Sequence, residues 1–442
     1  MSEAQLVWNF TVRLLTRNAA AYALFAFIPL AAYSQGAASA TPSPHASSDG
    51  LDVTAHVEFL GGLAREPMIV ELHDGTLFVS GYAGDRASGP PQTVPRLWKS
   101  TDHGFTWKAV NVGTEVDGAI GNSDVDLAVA QDGTLYFVSM GFDIKAFEGK
   151  HIAVGVSRDS GNSWHWTMLS KKRFDDRPWI AVEPDGAAHV IWNDGSGVYH
   201  SVSRDRGATW SPAQVIHPQG GSGHLAVGPK GELAVRITPA SASGNKIEPE
   251  VELVAISGDG GNTWEKHSVP GQRIWAFTEG STPRWIEPLA WDTKGNLYLL
   301  WTQVTGVWLA RSLDRGSTWT TWRVAESEGD TLSYYPYLVA RGPGELAATW
   351  FSGSGDSLRF EACKITVAGS ASPPQKICSA RLTPDTWRPD DSPSTQLVRS
   401  PAGEYLPVLF LGDDGLAVVS PIQNQGTNHF GFSFWEFKEP SK

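Results

Sequence analysis

Five stretches of this chain share one pattern: STDHGFTW (100–107), SRDSGNSW (157–164), SRDRGATW (203–210), SGDGGNTW (257–264) and SLDRGSTW (312–319). Their aspartates, Asp102, Asp159, Asp205, Asp259 and Asp314, follow one another at steps of 57, 46, 54 and 55 residues. A fixed period of this size marks a repeat architecture. The physics of the box is a tight turn. The carboxylate accepts backbone N–H bonds within the turn, the glycine takes φ > 0, and Ser or Thr adds a local hydrogen bond. The tryptophan then packs its face on a neighbouring strand. One carboxylate per repeat is too few for a calcium cage of 6–8 oxygens, and no zinc spacing exists, so neither metal nor cofactor is expected.

Before each box lies a second repeat, an apolar strand, a Gly-containing turn and another apolar strand. Seven copies occur: 67–81, 125–139, 179–193, 224–238, 288–302, 337–351 and 396–410. The last two lack the box. Alternating strands at this spacing predict four-stranded antiparallel units, and no stretch past residue 40 sustains a helical period. Seven units of about 55 residues predict an all-β propeller with seven blades favoured over six. LDVTAHVEFL (51–60) is expected as a further strand, able to close the ring as the outer strand of the last blade.

The N-terminus reads as an export signal. Ala19 to Tyr33 carries no charge, which is too short for a comfortable span, and Ala38-Ser39-Ala40 supplies a small-x-small cleavage site. Residues 1–40 are thus expected as a signal peptide, 41–50 as a Pro/Ser linker and 51–442 as the propeller, in an exported, periplasmic or secreted protein. An uncleaved anchor is the alternative. The chain carries 35 Lys+Arg and 47 Asp+Glu. Losing Arg13, Arg17 and Glu3 leaves 33 − 46 = −13, which argues against nucleic-acid partners and anionic membranes. Cys363 and Cys378 flank a loop-like stretch and in an exported chain predict a disulfide across a hairpin.

In a propeller the inner strand of each blade starts at one face, so the residues before it form a ring around the channel. That ring is expected to hold Arg65, Glu66, Asp124, Asp176, Arg177, Ser222, His224, Arg284, Glu287, Tyr334, Tyr335 and Asp391, with Trp275, Trp285 and Trp308 available to stack on a sugar. Charged and aromatic groups concentrated there suggest a binding site. The bland reading makes Asp176/Arg177 and Arg284/Glu287 inter-blade ion pairs, Tyr335 a packed aromatic and His224 a satisfied strand residue.

The boxes are Asp boxes, and the chain resembles the bacterial sialidase superfamily. Arg65-Glu66-Pro67 is similar to the family's Arg-Ile-Pro, Ser123-Asp124 to its Ser-Asp, and Asp176-Arg177-Pro178-Trp179 to its Asp-Lys-Pro-Trp. Tyr335 stands at the family's offset before Gly344 for the catalytic tyrosine. The resemblance implies a hydrolase in which arginines clamp a sugar carboxylate, a Glu-activated Tyr attacks the anomeric carbon, and an Asp is the general acid/base. It implies Tyr335 as nucleophile, Asp85 near the acid/base position, Arg65 as first clamp, and Asp124 in the substrate pocket, while Glu287 or Glu66 would have to serve as the base that activates Tyr335. Departures are clear. Ser222 stands where the family has its Glu, Thr238 where it has its second Arg, with Arg236 two residues back on the same face, and Ala310 where it has its third, with Arg311 adjacent. The family's six blades also differ from seven hairpins. The expected function is an exo-acting glycoside hydrolase for a terminal acidic sugar, with Arg236 and Arg284 as replacement clamps. A non-catalytic glycan- or protein-binding propeller and a polysaccharide lyase using Tyr335 and His224 are the alternatives.

Overall fold

The computed structural model describes residues 50–59, 64–82, 93–143, 145–238, 252–270, 287–303, 306–326, 333–353, 359–369, 372–382, 405–424 and 429–440. The signal segment, most of the linker, Asp85, Arg284, Asp391, Trp275 and Trp285 lie outside them.

The described chain forms seven separate four-stranded antiparallel sheets. Six are built from consecutive strands, as in blade 1: Arg65–Glu71, Leu77–Tyr82, Arg96–Ser100 and Lys108–Ala109. The inner strands of the remaining blades are Ser123–Val129, Asp176–Val182, Gly221–Val227, Leu289–Trp291, Ser333–Ala340 and Val408–Leu411. Among the described residues the one helical element is a short 3-10 turn at Glu115–Asp117. This is a seven-bladed β-propeller.

The sequence dictates these strands locally. Between first and second strands a glycine at positive φ closes the turn, as at Gly75, Gly133, Gly186, Gly231 and Gly295. In four of them an aspartate, Asp74, Asp132, Asp185 or Asp292, accepts the backbone N–H two residues on, at 2.9–3.0 Å. Second strands such as Leu77–Tyr82 and Leu233–Thr238 are buried along their whole length, because blades cover both faces. Apolar side chains between neighbouring blades form the core.

The seventh blade corrects one expectation. The sequence pattern predicts both strands of the seventh hairpin within 396–410. Instead Val408–Leu411 is the inner strand, the turn falls at 412–414, and Gly415–Asn424 is second. Asp52–Phe59 completes this blade as its outermost strand, paired with His429–Lys438 from Asp52↔Lys438 to Phe59↔Gly431. Strands near the two ends of the described residues therefore meet in one sheet. Cys363 and Cys378 are bonded, directly opposite each other on the third and fourth strands of blade 6.

Candidate functional site

Each Asp box follows a third strand whose end pairs with the start of the second strand. That start in turn pairs with the end of the inner strand, as in Glu71↔Leu77↔Ser100. The boxes therefore occupy the face opposite the starts of the inner strands. Their chemistry is that of a turn. In the first, Asp102 accepts the Thr106 N–H (2.9 Å) and the Thr106 hydroxyl (2.6 Å), while Ser100 Oγ accepts the Gly104 N–H (2.9 Å). The Trp107 indole N–H donates back to the Gly104 carbonyl at 3.1 Å.

The other face is the mouth. There the inner strands of blades 1, 3 and 6 carry the same irregularity: the register slips by one residue between Arg65/Met68, Asp176/Trp179 and Tyr334/Tyr337. The bulged residues Glu66, Arg177 and Tyr335 have φ of 43°, 48° and 51°, and each precedes a proline. Proline suits the bulge because it brings no N–H that the ladder must pair. A side chain forced to positive φ is re-aimed and strained, a combination concentrated at functional sites. Blades 2 and 4 slip likewise at Ser123/Val125 and Ser222/His224.

Blades 1, 2 and 3 bring their mouth residues together, the inner strand of blade 2 lying between those of blades 1 and 3. The Arg65 guanidinium lies over the Tyr82 ring, 5.6 Å from its centroid. Burial holds the Tyr82 phenol well above its ordinary value, and the nearby Glu66 carboxylate, hydrogen-bonded to it, pushes the same way. Asp124 takes the Ser123 hydroxyl at 3.2 Å. Asp176 keeps 21% of its side chain open to solvent. Its carboxyl is pushed up to about 7, chiefly by desolvation; Arg177 opposes this and the Asp124 charge adds to it. The Arg177 guanidinium is 3.8 Å away.

Behind Asp176 stands a relay of neutral groups. Asn193 pairs opposite Asp176 and hydrogen-bonds its carboxylate. The Asn193 carbonyl oxygen accepts from the Ser222 N–H (3.0 Å) and hydroxyl (2.8 Å), and Ser222 Oγ also lies 2.7 Å from the Arg177 carbonyl. Ser222 thus ties the start of blade 4 to the mouth strands of blade 3.

Elsewhere in the ring the predicted residues are placed differently. Arg236 is fully buried. Its guanidinium donates to the carbonyls of Ile237 (2.7 Å) and Leu253 (3.0 Å), to Glu252 (2.9 Å) and to Glu287. Glu287, itself 1% exposed, is thereby paired with Arg236. Tyr335 is 2% exposed and meets Tyr334 edge-on at 5.3 Å. His224 accepts the Leu289 N–H on Nδ1 at 3.3 Å, and burial lowers its imidazole to about 3, so it stays neutral. Trp308 stacks on Trp301 at 6.3 Å.

Three site residues escaped the sequence reading: Tyr82, Asn193 and Tyr405. The first two end second strands, opposite Arg65 and Asp176, and only the strand register finds them. Tyr405 was hidden by the displaced seventh hairpin. The signal that would have found it is the Xaa-Pro before an inner strand, since Leu406-Pro407 follows the same pattern as Glu66-Pro67 and Arg177-Pro178.

Comparison with known proteins gives likenesses of structure. No family model and no curated protein matches the chain. Solved structures similar to it include an alpha-L-arabinanase of Penicillium chrysogenum complexed with arabinobiose (12% identity, 85% of this chain and 93% of that one covered, TM-score 0.47). A protein of unknown function from Dyadobacter fermentans shares 14% identity over 88% of this chain and 99% of its own, with TM-score 0.49. A sialidase of Trypanosoma rangeli shares 17% over 67% of this chain and 54% of its own, with TM-score 0.40. The fold rests on the chain's own seven sheets.

Proposed function

We propose that the mouth formed by blades 1–3 is the active site of an exported glycoside hydrolase acting on a terminal acidic sugar of a glycoconjugate. The observation that carries this reading is the meeting of two carboxylates, Asp124 and Asp176, between two arginines, Arg65 and Arg177, on strands bulged to present them. A carboxyl poised near neutrality beside a second carboxyl is the arrangement that acid/base cleavage of a glycosidic bond needs. In this reading Asp176 protonates the leaving oxygen, Asp124 faces the anomeric carbon or its attacking water, and the arginine forks bind the sugar's carboxylate.

Tyr335 enters as the alternative nucleophile, because it occupies in blade 6 the bulged pre-proline place that Glu66 and Arg177 occupy in blades 1 and 3. Asp85 and Arg284 keep their proposed roles as an alternative acid/base and a clamp. Arg236 and Glu287 act as the buried pair supporting blades 4 and 5. An oxidising destination is supported by the Cys363–Cys378 bond.

The test is release of the phenol from aryl glycosides, an aryl sialoside first, by the chain beginning at Thr41. Asp176→Asn is expected to lose at least about 100-fold in kcat, whereas Tyr335→Phe does so only if the tyrosine is the nucleophile. A chain that binds acidic glycans on an array yet cleaves no aryl glycoside is a binding propeller, and the hydrolase reading then falls.

A further inference from the structure

Tyr405 reaches the site from blade 7. Its hydroxyl donates to Asp124 Oδ2 of blade 2 across 3.4 Å. Its ring lies against Trp179 of blade 3, centroids 5.3 Å apart and planes at 31°. Trp179 follows Asp176-Arg177-Pro178 and is fixed in turn by its indole N–H on the Ser222 carbonyl at 3.1 Å. The tyrosine is 3% exposed, and the backbone that follows it is held twice. The next residue's carbonyl, at Leu406, accepts the Thr349 hydroxyl of blade 6 at 2.5 Å, and the Pro407 carbonyl accepts the Val419 N–H at 3.3 Å. A phenol clamped in this way has one orientation to offer.

We propose that Tyr405 is the positioning residue of the Asp124/Asp176 pair, fixing the Asp124 carboxylate by its hydroxyl and the Asp176 strand by its ring. The inference rests on the glycosidase reading for its consequence in catalysis, while its physical content, control of one carboxylate by one phenol, does not. Among the described residues the Asp124 charge acts on Tyr82 of blade 1, which has Arg65 and Glu66 beside it, and on Asp176 of blade 3, which has Arg177 beside it, while Tyr405 of blade 7 donates to Asp124 directly. Tyr82 is neutral too, but its hydrogen bond is to Glu66, whereas the Tyr405 hydroxyl donates to Asp124, so removing it takes a hydrogen bond from that carboxylate without altering any charge.

The experiment is carboxyl-carbon NMR at one fixed pH together with steady-state kinetics on the chain from Thr41, the Asp124 signal being assigned by its loss in Asp124→Asn. In Tyr405→Phe the Asp124 signal is expected to move, and kcat to fall about tenfold or more while KM changes less than about twofold. Replacing Tyr405 by 3-fluorotyrosine, a stronger donor of nearly the same shape, is expected to move the signal the other way and to keep kcat, and serves if the Phe variant folds poorly. An Asp124 signal that stays in place in a folded variant overturns the proposal. A moved signal in a chain that cleaves no glycoside upholds the positioning role and overturns the glycosidase reading.

Discussion

Glu66, Arg177 and Tyr335 are held at positive φ directly before prolines, a conformation that costs a side-chain-bearing residue about 1–3 kcal/mol. If that strain exists to aim side chains into the mouth, removing it separates stability from function. Arg177→Gly is expected to keep or raise the melting temperature while weakening binding of acidic sugars about tenfold or more. Calorimetry and glycan binding measured on one preparation decide it, and a variant that melts lower and binds equally well contradicts the strain argument. Asp176 allows a second prediction at this scale. Its folded value, about 7, lies above its unfolded one. The native state thus binds the extra proton between roughly pH 4 and 7, and Asp176's contribution to stability declines as pH rises through that window. Asp176→Asn removes the cost, so the variant should be more stable than the parent at pH 8 by roughly 1–3 kcal/mol. The difference should shrink toward pH 4. Denaturant melts at the two pH values measure it.

At the scale of the element, the Asp boxes are chained from blade to blade. Lys99 donates to the Ser160 carbonyl (3.0 Å), Arg158 to the Arg206 carbonyl and Arg204 to the Gly260 carbonyl (3.1 Å), so each cation beside one box caps the next. Within a box the serine hydroxyl is the buried hinge. Ser203 Oγ donates to Asp205 and accepts the buried Gly207 N–H at 2.8 Å. Ser203→Ala leaves that N–H without its acceptor, which should cost about 1–3 kcal/mol. Glycan binding per folded molecule should be unchanged, because the boxes face away from the mouth; a loss of binding at full folding contradicts the assignment of faces. The turn bonds of these boxes were legible in the sequence, since the serine, aspartate and glycine they join stand within four positions of one another, whereas the bonds from box to box were not. The mouth was legible in its residue types and in the order Arg65, Asp124, Asp176, but not in its geometry. The bulge that aims Glu66 exists only in the pairing of Arg65 with Tyr82 and Met68 with Ser80, and strand register is a tertiary property. Arg236 shows the same limit. Its place two residues from Thr238 suggested a clamp, whereas it is buried against Glu252, before the third strand of its own blade, and Glu287, before the inner strand of the next.

At the scale of the whole molecule, the ring is shut by strands near the two ends of the described residues. The alternation in LDVTAHVEFL announced a strand, but the seventh hairpin was set too early because 396–410 also offers an apolar stretch, a glycine and a second apolar stretch. Only the pairing of Val408 with Val418 decides which is the inner strand. Closure is reinforced from the side. The Ser379 hydroxyl donates to the Leu51 carbonyl at 2.7 Å, from the edge strand of blade 6 that the Cys363–Cys378 bond ties in place. Blade 7 also delivers Tyr405 to the site, so closure, stability and function should fail together. A chain beginning at residue 61 lacks the outer strand and leaves His429–Lys438 as an open edge, with Phe434 and Phe437 still needing their buried places. We expect it to melt about 10 °C or more below the full ring and to lose glycan binding. A synthetic peptide of residues 50–60 should restore part of both by adding back the strand in trans. Reduction of the disulfide should act on the same blade junction, by up to about 3 kcal/mol for a loop of this length. A truncated chain that melts with the parent would mean the seventh blade holds without its N-terminal strand, and the tie between ring closure and the site would then fail with it.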